Sequence, residues 1–270
     1  MLSHQVSRRI LKTCRQPRRR RAELCVESLE PRTMLTTFLV DTLDDVTLLE
    51  VEKDGAVSLR EALAAASRNR RVGDAAAGSE VDEIRFAPGL FGSTSPDTFE
   101  LDTIELTDGP LQIDGGADES IRIIGPGSDV LSISTSFQLD NKHSIIRHLS
   151  GNTLITGVTI TGGDAEVGGG IAQLDGHLTL QGVNVQYNDA TRGGGLASLG
   201  GTVSIIDSQI ESNAAEMGAG VYNVAGGSEA APSMLIERSV IADNPSTLAE
   251  TVTKGGGIYN LNSFLVVRDT

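Results

Sequence analysis

The sequence predicts an all-β fold, a right-handed parallel β-helix in which short strands wind repeatedly around one apolar core. Glycine clusters begin at residues 168, 193, 218 and 255, so they are 25, 25 and 37 residues apart. Short runs of alternating apolar residues follow the clusters, and an apolar residue three positions before an asparagine recurs in the same frame. A repeat of this length with strand-like alternation indicates stacked coils that share a core.

Three segments follow from the pattern: a disordered basic leader at residues 1–36, a small α/β cap at 37–100 and the β-helix at 101–270. Residues 1–32 hold nine Lys or Arg and three Glu, which leaves a formal charge of −20 on the remainder. The leader lacks the aromatic residues and the fold of a nucleic-acid-binding module, so we expect no nucleic-acid partner. Both cysteines, Cys14 and Cys25, lie in it, and the body can form no internal disulfide.

The cap is expected to contain one short helix. Ser58 followed three residues later by Glu61 is a capping-box pattern, and the alanine-rich stretch after it favours helix to about Ser67. Leu59 and Leu63 fall on one face of this helix, where they can pack against the first coil.

In the β-helix, strands of three to five residues are predicted at the apolar alternations, with about three strands in each coil. Stacking the coils about 4.8 Å apart would bury the apolar positions and pair each strand with the next one in parallel. The alternating pairs are Leu178 and Leu180, Val203 and Ile205, Met234 and Ile236, and Leu265 and Val267.

The glycine clusters are predicted turns, where the backbone is too tight for a Cβ. The turn glycines are Gly168, Gly169, Gly170, Gly193, Gly194, Gly195, Gly218, Gly220, Gly255, Gly256 and Gly257. Asn188, Asn213 and Asn244 are predicted at a second turn, because asparagine tolerates left-handed backbone angles, and are expected to stack as a ladder. The last coil starts at Leu265 and is expected to be truncated, as in the N-terminal part of a longer protein.

Composition agrees with a narrow solenoid core. The chain of 270 residues has 31 glycines, no tryptophan and only 3% aromatic residues. Leucine-rich repeats need a leucine and asparagine pattern that is absent, and propeller blades are about 40 residues long.

Two stretches of the N-terminal part resemble known families. Leu29, Glu30, Pro31, Arg32 and Leu35, with Met34 in place of a leucine, resemble the LEPR-type sorting segment of planctomycete exported proteins. Residues 38–66, continuing to 83–86, resemble the CSLREA domain of bacterial surface proteins, with Val57 in place of its hallmark cysteine. The resemblance implies export to the cell surface, the outer membrane or the extracellular space.

The strand pattern after the cap is similar to pectate-lyase-like β-helices, including the choice-of-anchor and polymorphic outer membrane protein groups. The similarity rests on Ile104-Glu105-Leu106, Leu111-Gln112-Ile113, Ile121-Arg122-Ile123 and repeats such as Gly193 to Leu196 with Ile210 to Asn213. It implies the architecture and says little about chemistry.

Catalytic chemistry on this fold would need acidic residues and a basic residue on adjacent coils. Polysaccharide lyases of this architecture use acids to bind calcium and Lys or Arg as the base. The candidates are Asp164, Asp189, Asp207 and Asp243, with Arg192, Arg238 and Lys254. Asp189 and Asp207 occupy different positions in the repeat and are expected to face different directions, as solvated charges do on an outward surface.

No catalytic or metal-binding residue is therefore assigned, and no cofactor is expected, although a calcium ion at an acidic turn stays open. His143, His148 and His177 show no metal-binding spacing and are predicted to be surface or turn residues.

The sequence thus favours an exported β-helix protein with a structural, adhesive or ligand-binding role. Its expected partners are an envelope component, another surface protein or a polysaccharide. The alternative is a polysaccharide lyase or glycoside hydrolase on the same fold. No apolar stretch of 18 residues exists, so no transmembrane helix is expected.

Overall fold

The structure is a computed structural model that describes residues 35–47, 54–92, 101–117, 119–135, 142–224, 233–247 and 255–270. All of them belong to the compact unit Thr33–Thr270. Residues 1–34, which hold most of the predicted basic leader, residues 225–232 and Lys254 lie outside the described residues.

The described chain is nearly all β, with one α-helix, α1 (Leu59–Arg68), and a 3-10 turn at Pro88–Leu90. The strands of the cap and first coils are β1 (Leu35–Val40), β2 (Val81–Phe86), β3 (Asp102–Leu106), β4 (Leu111–Asp114), β5 (Ser120–Ile124), β6 (Leu131–Thr135) and β7 (Ile146–Ser150). The middle strands are β8 (Asn152–Thr156), β9 (Thr159–Thr161), β10 (Asp164–Val167), β11 (Ile171–Gln173), β12 (His177–Gln181), β13 (Asn184–Gln186), β14 (Asp189–Arg192), β15 (Leu196–Ser198), β16 (Thr202–Ile206), β17 (Gln209–Glu211) and β18 (Ala214–Met217). The last strands are β19 (Val221–Val224), β20 (Ser233–Glu237), β21 (Val240–Ala242), β22 (Ile258–Leu261) and β23 (Phe264–Arg268).

These strands form four parallel sheets. Sheet A has the order β1-β2-β5-β8-β12-β16-β20-β23, sheet B is β3-β6-β9-β13-β17-β21, sheet C is β10-β14-β18, and sheet D is β4-β7-β11-β15-β19-β22. Each strand pairs with the corresponding strand of the next coil, which defines a parallel β-helix of the right-handed type, as the sequence predicts.

The middle coils contain four strands, not the three predicted. The extra strand is the sheet C strand, which lies between the asparagine and the next glycine cluster, for example β14 between Asn188 and Gly193. Its sequence, Asp189 to Arg192, has no apolar alternation, so sequence periodicity gave no signal for it.

The core consists of the inward positions of the sheets, stacked in register. In sheet A, Leu178 pairs with Val203 and Leu180 with Ile205, and these four side chains are at most 1% exposed. Removing each such side chain from water contributes about 2 kcal/mol, which explains why the coils must stack to be stable.

The cap is continuous with the solenoid, because β1 and β2 are the first two strands of sheet A. Strand β1 begins at Leu35, within the predicted leader. Helix α1 starts at a capping box: Ser58 Oγ accepts from the Glu61 backbone N–H (3.2 Å), and Glu61 Oε2 accepts from the Ser58 N–H (2.9 Å). Buried Arg60 anchors the helix through Asp45 (2.7 Å).

Each middle coil turns at four residues with left-handed backbone angles. The four sets are Gly151, Gly176 and Gly201; Gly157, Gly182, Asp207 and Arg238; Gly162, Tyr187, Ser212 and Asp243; and Gly168, Gly193, Gly218 and Gly255. The left-handed residue of the third set precedes the ladder asparagine, so left-handed tolerance was the wrong reason for predicting Asn188, Asn213 and Asn244 there.

Candidate functional site

A shallow groove with charged walls runs across sheet C and is the main candidate for ligand contact. It has a volume of about 490 Å³. We call it the charged groove; it is lined by Lys142, Asp164, Ala165, Glu166, Asp189, Ala190, Thr191, Glu216 and Thr247.

The repeat brings these residues together. Strands β10 and β14 pair in parallel, with Asp164 opposite Asp189 and Ala165 opposite Ala190, and β18 continues the sheet with Ala214 and Ala215. Residues one period apart in sequence therefore lie side by side on adjacent coils. Because the side chains of Ala165 and Ala190 are short, they do not fill this part of the groove.

Two ion pairs connect residues at the groove. Lys142, in the segment before β7, places Nζ 2.8 Å from Asp164 Oδ2. Arg192 Nη2 lies 2.6 Å from Glu166 Oε1, across the β10 and β14 pair. Both pairs are substantially exposed, so they orient side chains and add little to stability.

Burial and neighbouring charges shift the pKa values of two residues of the charged groove. Burial raises the pKa of Asp189, and the nearby Asp164 carboxylate raises it further. The hydrogen bond to Asp164 raises the pKa of Lys142, which keeps its amine protonated, whereas a catalytic base must be free to accept a proton. The charged groove can therefore donate hydrogen bonds from the ammonium group of Lys142 and accept several at its carboxylates.

The predicted turn glycines lie where the chain passes from sheet C to sheet D. Their backbones bond from coil to coil, with Gly169 N donating to Gly193 O (3.1 Å) and Gly170 N to Gly194 O (2.9 Å). Gly168, Gly193, Gly218 and Gly255 have φ near +60° to +68°. These glycines contribute backbone and no ligand-binding side chain.

The three predicted asparagines form a continuous buried ladder. Asn188 Nδ2 donates to Asn213 Oδ1 (2.9 Å), and Asn213 Nδ2 donates to Asn244 Oδ1 (3.1 Å). At the other end, the Gly163 N–H donates to Asn188 Oδ1 (3.0 Å). A second ladder, which the sequence analysis missed, has Ser208 N donating to Ser239 Oγ (3.1 Å). Both ladders are structural.

The remaining acidic candidates do not reach the groove. Asp207 pairs with Arg238 (2.7 Å) at a different corner, as its position in the repeat predicted, and Asp243 occupies a left-handed corner. Leu29, Glu30, Pro31, Arg32 and Lys254 lie outside the described residues, and Leu35 is the first residue of β1.

Sequence reasoning missed Lys142, Glu166 and Glu216 as groove residues. The spacing of 25 residues between Asp164 and Asp189 is one period of the repeat. From this spacing the sequence could have predicted that the two carboxylates lie side by side on adjacent coils. Lys142 has no periodic counterpart, so only the folded chain reveals its partner. The prediction of a surface or turn position for His148 was wrong, because this side chain is fully buried in β7.

In the part of the chain that the structure describes, no group of three or more His, Cys, Asp or Glu side chains is arranged to hold a metal ion. Across the same residues, no helix combines the length and the apolar character required to cross a membrane.

Comparison with known proteins returned no matching family model, no matching curated protein and no matching solved structure. The geometry alone therefore defines the class, a parallel β-helix protein with a charged groove across one sheet.

Proposed function

We propose that this chain is an exported surface protein whose β-helix is a structural and adhesive module, with the charged groove as its ligand-binding face. The expected ligand is a polysaccharide of the envelope or of another surface. The groove across stacked strands β10, β14 and β18 carries this proposal, because residues repeated on each coil can contact an extended chain at successive points.

The charge of the groove selects among polysaccharides. Four carboxylates, on Asp164, Glu166, Asp189 and Glu216, outnumber the two cations at the groove, Lys142 and Arg192. The body has a net negative charge as well. Like charges repel an acidic ligand, so we propose a neutral or amine-bearing polysaccharide, whose hydroxyl and ammonium groups donate to carboxylates.

The competing proposal is a polysaccharide lyase or hydrolase. It is favoured by one observation, the convergence of Lys142, Asp164 and Asp189 from adjacent coils in one groove. The protonated state of Lys142 and the repulsion of acidic substrates count against it.

Export is proposed from resemblance alone, on the LEPR-type segment and the CSLREA-like cap. Fractionating planctomycete cells that express the full chain tests it, with Arg32→Ala as the variant. Retention of the wild-type chain in the cytoplasm would contradict export.

Binding can be measured with the full chain against three soluble probes: a neutral glucan, chitosan and polygalacturonate. We expect affinity for the glucan or chitosan, and about tenfold weaker binding when Asp164→Asn and Asp189→Asn are combined, a loss of about 1.4 kcal/mol. The matched control is Asp207→Asn, which removes an exposed carboxylate outside the groove and should leave binding unchanged.

The same samples should be followed for the absorbance of unsaturated uronate. Turnover of polygalacturonate would establish the lyase alternative. Equal affinity of the wild-type and doubly substituted chains would exclude the charged groove as the binding face.

A further inference from the structure

His148 occupies an unusual place inside the solenoid. It lies on β7 between Ile113 of β4 and Gln173 of β11, and its exposed fraction is 0%. Gln173, Ser198 and Asn223 continue the same column on the following coils, each with an exposed fraction of 0%. A buried polar column therefore extends from His148 along sheet D.

Gln173, the next residue of this column, makes its hydrogen bonds to groups other than the His148 ring. Gln173 Nε2 donates to the carbonyl oxygens of Gly176 (3.2 Å) and Thr202 (3.0 Å), and its Oε1 accepts from Ser198 (3.2 Å). Among the described residues, no group meets hydrogen-bond distance and angle at either ring nitrogen of His148, although the Asp175 backbone lies near enough to favour a proton on the ring. A buried imidazole without partners is unfavourable, and it becomes more so when the ring gains a charge.

Charged groups surround this ring at longer range. They are Asp114 on β4, Asp175 in the turn after β11, and His177 on β12. Burial is the largest effect and lowers the pKa of His148 to about 4, although the Asp175 backbone and the two carboxylates favour the charged ring. His177 opposes protonation as a like charge.

We propose that His148 makes the β7 coil acid-sensitive: the coil stays closed while the buried ring is neutral, and protonation of the ring in acid opens that coil locally. The unfolded chain takes up the proton near pH 6.5, whereas the folded chain resists it until about pH 4. The stabilising effect is thus complete above pH 6.5 and is lost as the pH falls towards 4. Over this window, the unfolding equilibrium constant should rise roughly a hundredfold because of this one group.

The test uses the full chain, with His148→Leu as the variant and His143→Gln, which is not among the groups around the His148 ring, as the matched control. Urea unfolding of each is measured at pH 7 and at pH 4.5. Between pH 7 and pH 4.5, the unfolding equilibrium constant should rise at least about tenfold less in His148→Leu than in the wild-type chain. In the control, the rise should match that of the wild-type chain. Comparing the same chain at two pH values cancels any pH-independent packing effect of the leucine.

Two measurements on the wild-type chain cover the case in which His148→Leu fails to fold. NMR should show the His148 ring neutral down to about pH 5, and hydrogen exchange of the β7 amides, corrected for intrinsic rates, should accelerate at pH 4.5. Protonation of the folded-state ring near pH 6.5, or an unchanged pH dependence in His148→Leu, would overturn the proposal.

Discussion

At the scale of single residues, the structure explains why some corners of the coil are always glycine and others are not. Gly193 and Gly182 have similar left-handed angles, with φ of +68° and +61°. A Cβ at Gly193 would overlap the Leu196 carbonyl oxygen and the Ala197 side chain, whereas one at Gly182 would meet no atom within 4 Å. The space around a Cβ therefore decides whether a corner must be glycine. Asp207 and Arg238 occupy the corner equivalent to Gly182 in later coils.

Replacing Gly182 and Gly193 in turn by alanine separates the strain of a left-handed backbone angle from the overlap of an added Cβ with neighbouring atoms. Both variants bear the left-handed strain of about 1 kcal/mol, so Gly182→Ala should lose about that much stability. Gly193→Ala adds a backbone overlap and should lose at least about 3 kcal/mol. Urea denaturation of the two variants provides the comparison, and equal losses would show that backbone angle alone dictates glycine.

At the scale of elements, the asparagine ladder connects one coil to the next independently of the strands. Asn213 donates to the carbonyl oxygens of Val185 (2.9 Å) and Glu211 (3.0 Å) in addition to its ladder contacts. Its Oδ1 also accepts from the backbone N–H of Asn188 (3.1 Å). One side chain thus satisfies backbone groups on two coils at a corner without strand pairing.

Asn213→Ala should therefore destabilise far more than the loss of one surface amide. The Asn188 N–H and the two carbonyl groups would lose buried partners, which corresponds to about 3 kcal/mol. Asn152→Ala, at an exposed position on β8, is the control and should change stability by less than about 0.5 kcal/mol. Thermal or urea unfolding measures both, and a small loss for Asn213→Ala would mean that water replaces the ladder.

At the scale of the whole molecule, the two ends of sheet A differ. Helix α1 packs beside the first strands, while the last described coil exposes apolar side chains. Phe264 is 71% exposed and Val267 is 47% exposed, although Val267 continues the buried column of Ile236. Among the described strands, β23 pairs with β20 alone, which leaves an edge suited to intermolecular pairing.

A chain that stops at residue 270 should self-associate through this edge as its concentration rises. Phe264→Lys places a charge there and should reduce association, since lysine on an edge strand opposes pairing between molecules. Tyr187→Lys is the matched control, because Tyr187 is 64% exposed but lies at a corner. Light scattering across a concentration series measures the effect. A wild-type chain that stays monomeric would contradict the prediction.

The period of the repeat and the apolar strand positions follow from the sequence alone. These follow from local rules: alternation marks a strand that is buried on one side, and recurrence every 25 residues places equivalent residues on adjacent coils. Leu178, Val203 and Met234 could be aligned from the sequence because the apolar side chain at this position of each coil must lie in the shared core.

The fourth strand of the middle coils, the partner of Lys142 and the burial of His148 depend on contacts that only the folded chain makes. Sheet C strands such as Asp189 to Arg192 carry no hydrophobic pattern, and their pairing depends on where the preceding corners direct the chain. Lys142 has no charged counterpart one period away. His148 does have an equivalent residue, Gln173, but both are polar, so apolar alternation gives no sign that this position is buried. The surroundings of Lys142 and His148 therefore become visible only when the coils are stacked in space.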